Sequence, residues 1–325
     1  MLLLIKYTLL YGIVLMLVAL GGMFSEHSGI INIALEGIMV IGGVAGVLTL
    51  TMLPASMPAF ATVLIAVLVA AIAGMVYSLL LAFASINLKA DQTIGGTALN
   101  LMAPALVLFF IRIIANQNTL QMLTGDAASW FMIKKSTLGI DKGTDLGFFG
   151  ETFINKVYLA TYVCVLLFII LSILLYKTRF GLRLRACGEH PQAADSVGIN
   201  VFKMRWAGVL ISGLLGGLGG IVYITCGVSE WKFEYGVAGF GFLSLAVMIF
   251  GQWKPTKIAL AALLFGFFRA LSNVYFGFAF LKNLNIPSGI YNMLPYIISL
   301  VVLAFTSKKS RAPKAEGIPY DKSLR

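Results

Sequence analysis

Ala59 to Ile86 is a run of 28 residues with no charged side chain. As a helix rising about 1.5 Å per residue it exceeds the roughly 30 Å hydrocarbon core of a bilayer, so it must tilt or project beyond it. Comparable apolar runs recur: Leu2–Leu20, Ile30–Leu53, Gly95–Ile114, Lys156–Tyr176, Trp206–Thr225, Ile258–Phe280 and Ile290–Phe305. With 59% apolar and only 11% charged residues in 325, and a mean hydropathy of +0.94, the chain cannot solvate a globular surface. The fold class is an all-α integral membrane protein, a polytopic helical bundle. About nine hydrophobic segments give eight to ten transmembrane crossings, with broken or re-entrant helices. The 34 glycines suit helices that approach closely in lipid.

Polar intervals set the sidedness. Lys177 to Arg205 carries six cations (Lys177, Arg179, Arg183, Arg185, Lys203, Arg205) against Glu189 and Asp195, which places it inside the cell. Asn116 to Asn155 is nearly charge-balanced and reads as external, and the Lys156–Tyr176 span between the two intervals is consistent with both. Residues 1–307 form one transmembrane unit. Residues 308–325 are a polar tail, basic near the membrane, which reads as cytoplasmic and extended. The first run lacks a cleavage signal and reads as a retained helix, with the polar stretch Gly21–Gly29 breaking the chain after it. Phe242 to Phe250 is too short to span and reads as a half-helix leading to the turn Gly251–Lys257.

The most informative polar residues inside the apolar runs are Asn32, Glu36, Asn100 and Arg269. Asn32 and Glu36 are four apart and share a face if their segment is helical. A carboxylate facing lipid is costly, so Glu36 either lines a translocation route or fixes helix packing. Asn100 either meets a solute or ties two helices together. Arg269 could pair with Glu36 or meet a polar group of a partner subunit. The aromatic residues Trp231, Phe233, Tyr235 and Phe240 suit either an interfacial belt or stacking on a planar solute.

Several classes are excluded. The sequence has no P-loop, no HExxH, no CxxC and no nucleophile elbow. His27 and His190 are too few for a metal site, and Cys164, Cys187 and Cys226 lack pairing or ligand spacing. The chain is therefore expected to be no enzyme and to hold no cofactor. The net charge of +11 sits at span ends and in the tail, where it signals topology and contacts with membrane lipids rather than nucleic acid.

The basic interval has internal order: Pro191 can start a helical turn, Ala193 and Ala194 favour helix, and Gly198 can end it in the left-handed region. Together with SEHSGIINIALEGIM (Ser25–Met39), GTALNL (Gly96–Leu101), ISGLLGGLGG (Ile211–Gly220), AVMIFGQWKP (Ala246–Pro255) and the tail motif from Ser310 to Tyr320, it resembles the permease subunits of bacterial ABC importers. The likeness is to the nucleoside or simple-sugar branch, related to ribose and branched-chain amino acid permeases. It implies a translocation path for nucleosides or related small solutes, with a ribose-type sugar permease and a motor-independent secondary carrier as alternatives. It further implies a separate ATPase that uses the ATP, a second related permease subunit in a heterodimer, an extracytoplasmic substrate-binding lipoprotein, and a multi-pass location in the bacterial inner membrane with a cytoplasmic C-terminus. By the same resemblance Gly188, Glu189, Ala193, Ala194 and Gly198 are candidates for the ATPase contact; Asn32, Glu36, Asn100 and Arg269 are candidates for the pathway as polar residues inside apolar runs, and the resemblance does not lead one to expect the cation at Arg269.

Overall fold

The computed structural model describes residues 1–54, 56–116, 120–123, 132–141, 143–228, 230–278, 287–306 and 312–322. Parts of the external interval, the 279–286 link and the ends of the tail, including Ser310, lie outside the described residues. The helices are α1 (Leu2–His27), α2 (Leu35–Met52), α3 (Ala59–Ala82), α4 (Gln92–Phe110), α5 (Gly147–Phe153), α6 (Leu159–Lys177), α7 (Arg179–Glu189), α8 (Pro191–Ser196), α9 (Val201–Val222), α10 (Phe240–Phe250), α11 (Pro255–Val274) and α12 (Ser288–Thr306). Among the described residues, seven segments are long and apolar enough to cross a membrane: α1, α2, α6, and α3, α4, α9 and α11 with their terminal turns.

α1 is the axis of the bundle. Every residue from Leu10 to His27 is buried, against α9, α10, α11, α6 and α7. The break expected at Gly21–Gly29 is therefore not there: the helix continues through Ser25, Glu26 and His27 because each finds protein rather than lipid around it. The chain instead loses helical form at 28–34, and α2 starts only at Leu35. Asn32 thus precedes the helix, and the expected shared face with Glu36 does not exist.

α3 shows the opposite pattern. Leu64, Leu68, Ile72 and Val76, spaced by four, form an exposed apolar stripe suited to lipid. Its other side meets α9 through glycine, at backbone contact distance: a Cβ on Gly217 would lie 2.2 Å from the Ala70 carbonyl oxygen, and one on Gly220 would lie 2.1 Å from that of Met39 on α2. Small residues let these three backbones touch, as lipid-embedded packing favours.

The N-terminus shares one end of the bundle with the 116–155 interval, where Lys6 Nζ donates to the Asn155 carbonyl at 2.6 Å. Two short antiparallel pairs close that end, β1 (Gln121–Leu123) with β4 (Glu230–Lys232) and β2 (Met132–Ile133) with β3 (Val157–Tyr158). Lys135 is ion-paired with Glu151, whose carboxyl is held below its ordinary range by Lys135 and Asn155. The opposite, basic end carries α7, α8, the turn between α10 and α11, and the tail. Far from a loop, Lys177–Arg205 is helical almost throughout, and the tail is folded back onto it.

Candidate functional site

At the basic end, the Thr178 hydroxyl accepts from Gly181 N–H at 3.3 Å and starts α7. The helix is amphipathic: Leu184, Cys187 and Gly188 turn inward, while Arg179, Leu182 and Arg183 face out. Burial pushes the Cys187 thiol up to about 11, which leaves it an inert packing group. Pro191 occupies the first turn of α8, and Gly198 ends the following turn at φ +84°, both as the sequence predicts.

Of the five residues expected to meet an ATPase, Glu189, Ala193 and Gly198 lie on the open surface. Gly188 and Ala194 do not. A Cβ on Gly188 would sit 2.3 Å from the His27 carbonyl oxygen, and Ala194 is 3% exposed against Cys187, Val201 and Tyr320. These two small residues let the α7–α8 pair lie flat on the end of α1, so their part is packing.

The turn after α10 is fastened to the same place. Trp253 Nε1 donates to the Glu26 carboxyl at 2.5 Å, and its carbonyl accepts from the Tyr176 hydroxyl at 2.8 Å and from His27 Nε2 at 3.4 Å. The Arg185 guanidinium lies 4.5 Å above the Tyr176 ring. Glu26 and Trp253 lie within SEHSGIINIALEGIM and AVMIFGQWKP, but neither stretch marks them as partners. An intramembrane-type carboxyl near a lone turn tryptophan was the available signal, but their pairing spans 227 residues of sequence.

At the other end of α10 stands Glu36. Its two carboxyl oxygens accept from the backbone N–H groups of Gly239 at 2.9 Å and Gly241 at 2.7 Å. Such groups at a helix N-terminus have no intrahelical partner, and the helix dipole favours an acidic group there. Eleven residues span about 16 Å, so this cap lies roughly halfway through the bundle. Beside it, the Phe240 ring is flanked by Tyr223 at 4.4 Å and Tyr11 at 5.6 Å between centroids, with the Arg269 guanidinium 5.7 Å from its centre. Arg269 lies near the Tyr223 hydroxyl, and Asn273 Nδ2 donates to that of Tyr11 at 2.5 Å. Arg269 and Glu36 form no ion pair among the described residues, because backbone groups of α10 occupy the carboxyl.

The two amides tie segments together. Asn100 donates to the Ile33 carbonyl and accepts from Gly37 N–H, both at 2.8 Å, bracing the 28–34 segment from α4. Asn32 Nδ2 donates to Ser212 Oγ at 2.8 Å on α9, and its buried Oδ1 has no protein partner. Trp231 is neither a belt residue nor an open stacking face: it is 1% exposed and donates to the Gly236 carbonyl at 2.8 Å. Phe233 packs against the core, and the Tyr235 side chain lies outside the described residues. Among the described residues no cluster of His, Cys, Asp or Glu could hold a metal ion.

The family described as "Branched-chain amino acid transport system / permease component" matches residues 4–305. The chain is 40% identical to the nucleoside ABC transporter permease protein NupC of Lactococcus lactis subsp. cremoris, over 97% of this chain and 95% of that one. It is also 40% identical to the guanosine ABC transporter permease protein NupQ of Bacillus subtilis, over 98% and 96%. A putative glucose ABC transporter permease, TsgC13 of Haloferax volcanii, is 28% identical over 90% and 88%. No solved structure matches the chain. The chain belongs to the permease family of ABC transport systems, whose members are multi-pass, non-catalytic membrane subunits.

Proposed function

We propose that this chain forms part of the translocation path of an ATP-driven importer for nucleosides, with a separate ATPase seated on the outward faces of α7 and α8. The observation that carries the reading is the anchoring of α10 at both ends. Its terminal turn is fixed through Trp253 to Glu26, directly beneath the coupling helices, and its first turn is fixed to Glu36 beside the Phe240 cluster. A displacement of α7 and α8 therefore reaches the middle of the bundle through one short rigid element, as alternating access around broken helices requires.

Arg269, half-buried, and Asn273, exposed, stand beside the buried Tyr223–Phe240 pair and offer the donors that a base and a ribose would meet. Asn32, Asn100 and Glu36 hold the frame of that route. The basic end faces the cytoplasm, and the N-terminus and the 116–155 interval face outward. A second related permease chain and an external substrate-binding lipoprotein complete the assembly, in a bacterial inner membrane. The relatives named for nucleoside and guanosine transport support this solute class over simple sugars.

The test is uptake of labelled guanosine and uridine by vesicles carrying the assembled transporter, with ribose as competitor. Uptake should stop when ATP is withdrawn while ion gradients are kept, and ribose should not compete. Persistent uptake without ATP would instead mean a motor-independent carrier.

A further inference from the structure

The tail does not trail into solvent. Ala315 N–H donates to the Gly188 carbonyl of α7 at 2.8 Å, and Gly317 N–H to the Gly29 carbonyl at 3.3 Å. Asp321 is ion-paired with Lys89, from the link between α3 and α4, at 2.6 Å. Tyr320 is 3% exposed, with its ring 5.3 Å from that of Phe202 and 6.0 Å from the Arg205 guanidinium. It fills the hollow lined by Cys187, Ala194 and Val201, so the coupling helices rest on the tail.

Between the buried Ala315 and Tyr320 the chain holds Ile318 and Pro319 out to water, Ile318 being 57% exposed. Val197, just past α8, is 75% exposed. Exposed cations Arg179, Arg183, Lys203 and Lys314 belong to the same end. Local packing does not require an apolar pair to be held outward by two buried anchors, and a segment fastened at four points loses little entropy on meeting a partner.

We propose that the tail segment 317–320 is the second half of the ATPase socket. The partner reads a composite apolar surface, Val197 from α8 and Ile318–Pro319 from the tail, through an apolar groove with an acidic rim. This rests on the coupling reading above and extends it: continuity with the α7–α8 surface and the surrounding positive charge identify the occupant as the ATPase subunit.

The experiment measures how much tagged ATPase is retained by the full-length permease, purified at low and at high salt, in four variants. Ile318→Asp and Val197→Asp should each lower retention about tenfold, the loss expected when an apolar interface anchor is replaced by a charge. Tyr320→Ala should do the same while Tyr320→Phe, which keeps the ring, should bind normally. Retention should fall with salt. If Val197→Asp loses the ATPase and Ile318→Asp keeps it, the tail is not in the socket and the coupling reading survives. If neither variant matters, the coupling reading fails as well. Normal binding by Tyr320→Ala would also overturn the proposal.

Discussion

The two ends of α10 are each held by a carboxyl group, and they are held differently. At its start Glu36 takes two backbone N–H groups, so both oxygens are used and the helix dipole is answered. At its finish Glu26 takes a single side-chain N–H from Trp253, reached through a turn in which Gln252 and Trp253 both adopt φ +52°. Non-glycine residues in the left-handed region cost roughly 1–2 kcal/mol each. The first joint is satisfied and stiff; the second combines the side-chain hydrogen bonds that tie Trp253 to Glu26, Tyr176 and His27 with stored backbone strain. Under the proposed coupling a lever needs that difference, since one end would keep its place beside the solute while the other followed the ATPase.

Removing the stiff joint has the largest expected effect. Glu36→Ala leaves two buried N–H groups without acceptors and should cost about 3 kcal/mol or more in stability, at about 1–3 kcal/mol per orphaned group. Thermal unfolding of the purified permease should show it, with uptake abolished. Glu36→Gln keeps one acceptor oxygen and should lose clearly less; equal losses would mean that the cap is not what fixes α10. At the other end, Trp253→Phe keeps the ring and removes one bond to a carboxyl. The cost should be about 1.5–3 kcal/mol, and uptake should fall more steeply than ATP hydrolysis. Parallel losses of uptake and hydrolysis would deny the turn a part in transmission.

The contrast also explains what could be read in advance. Apolar runs located the helices, because a span must satisfy its backbone internally whatever its neighbours are. Pro191 and Gly198 marked α8 because both act through local backbone geometry. Phe242–Phe250 was legible as a half-helix from its length alone. The boundary at Gly21–Gly29 was misread because Glu26 and His27 look like loop residues until their distant partner, the Trp253 turn, is known. Glu36 was visible as an anomaly, yet its partners are backbone N–H groups more than 200 residues away, and backbone groups leave no mark in composition. The tail reads as polar because Tyr320 and Ala315 are too sparse to form a periodic pattern; its docking depends on four separate elements.

The strained joint can be tested without breaking a bond. Gln252→Gly should relieve one left-handed residue, offset by the larger unfolded-state entropy of glycine, for a net gain of about 0.5 kcal/mol. If Gln252 stores strain for transmission, the variant should be slightly more stable and slightly slower in transport. A loss of stability would show that the side chain, which accepts from Lys257 at 2.6 Å, outweighs the backbone.

The smallest effect belongs to the tail carboxyl beside that joint. Glu26 and Glu316 are close enough to interact, His27, Arg185, Cys187, Arg205 and Tyr320 are ionisable groups at the same corner, and Glu316 Oε2 is buried without a hydrogen-bond partner among the described residues. Burial pushes the Glu316 carboxyl from its ordinary 4.5 up to about 7. The docked tail thus holds a proton that the free tail releases near 4.5. Docking is at full strength below that value, weakens as pH rises toward 7, and is flat above it. Hydrogen exchange at the Ala315 and Gly317 amides, corrected for the intrinsic rate, should show protection falling across this window by a modest factor, because solvent still reaches the side chain. Glu316→Gln cannot release the proton, so its protection should stay level and exceed that of the native chain at pH 7 and above. A native profile already level from 4.5 to 7 would mean that docking does not hold this proton.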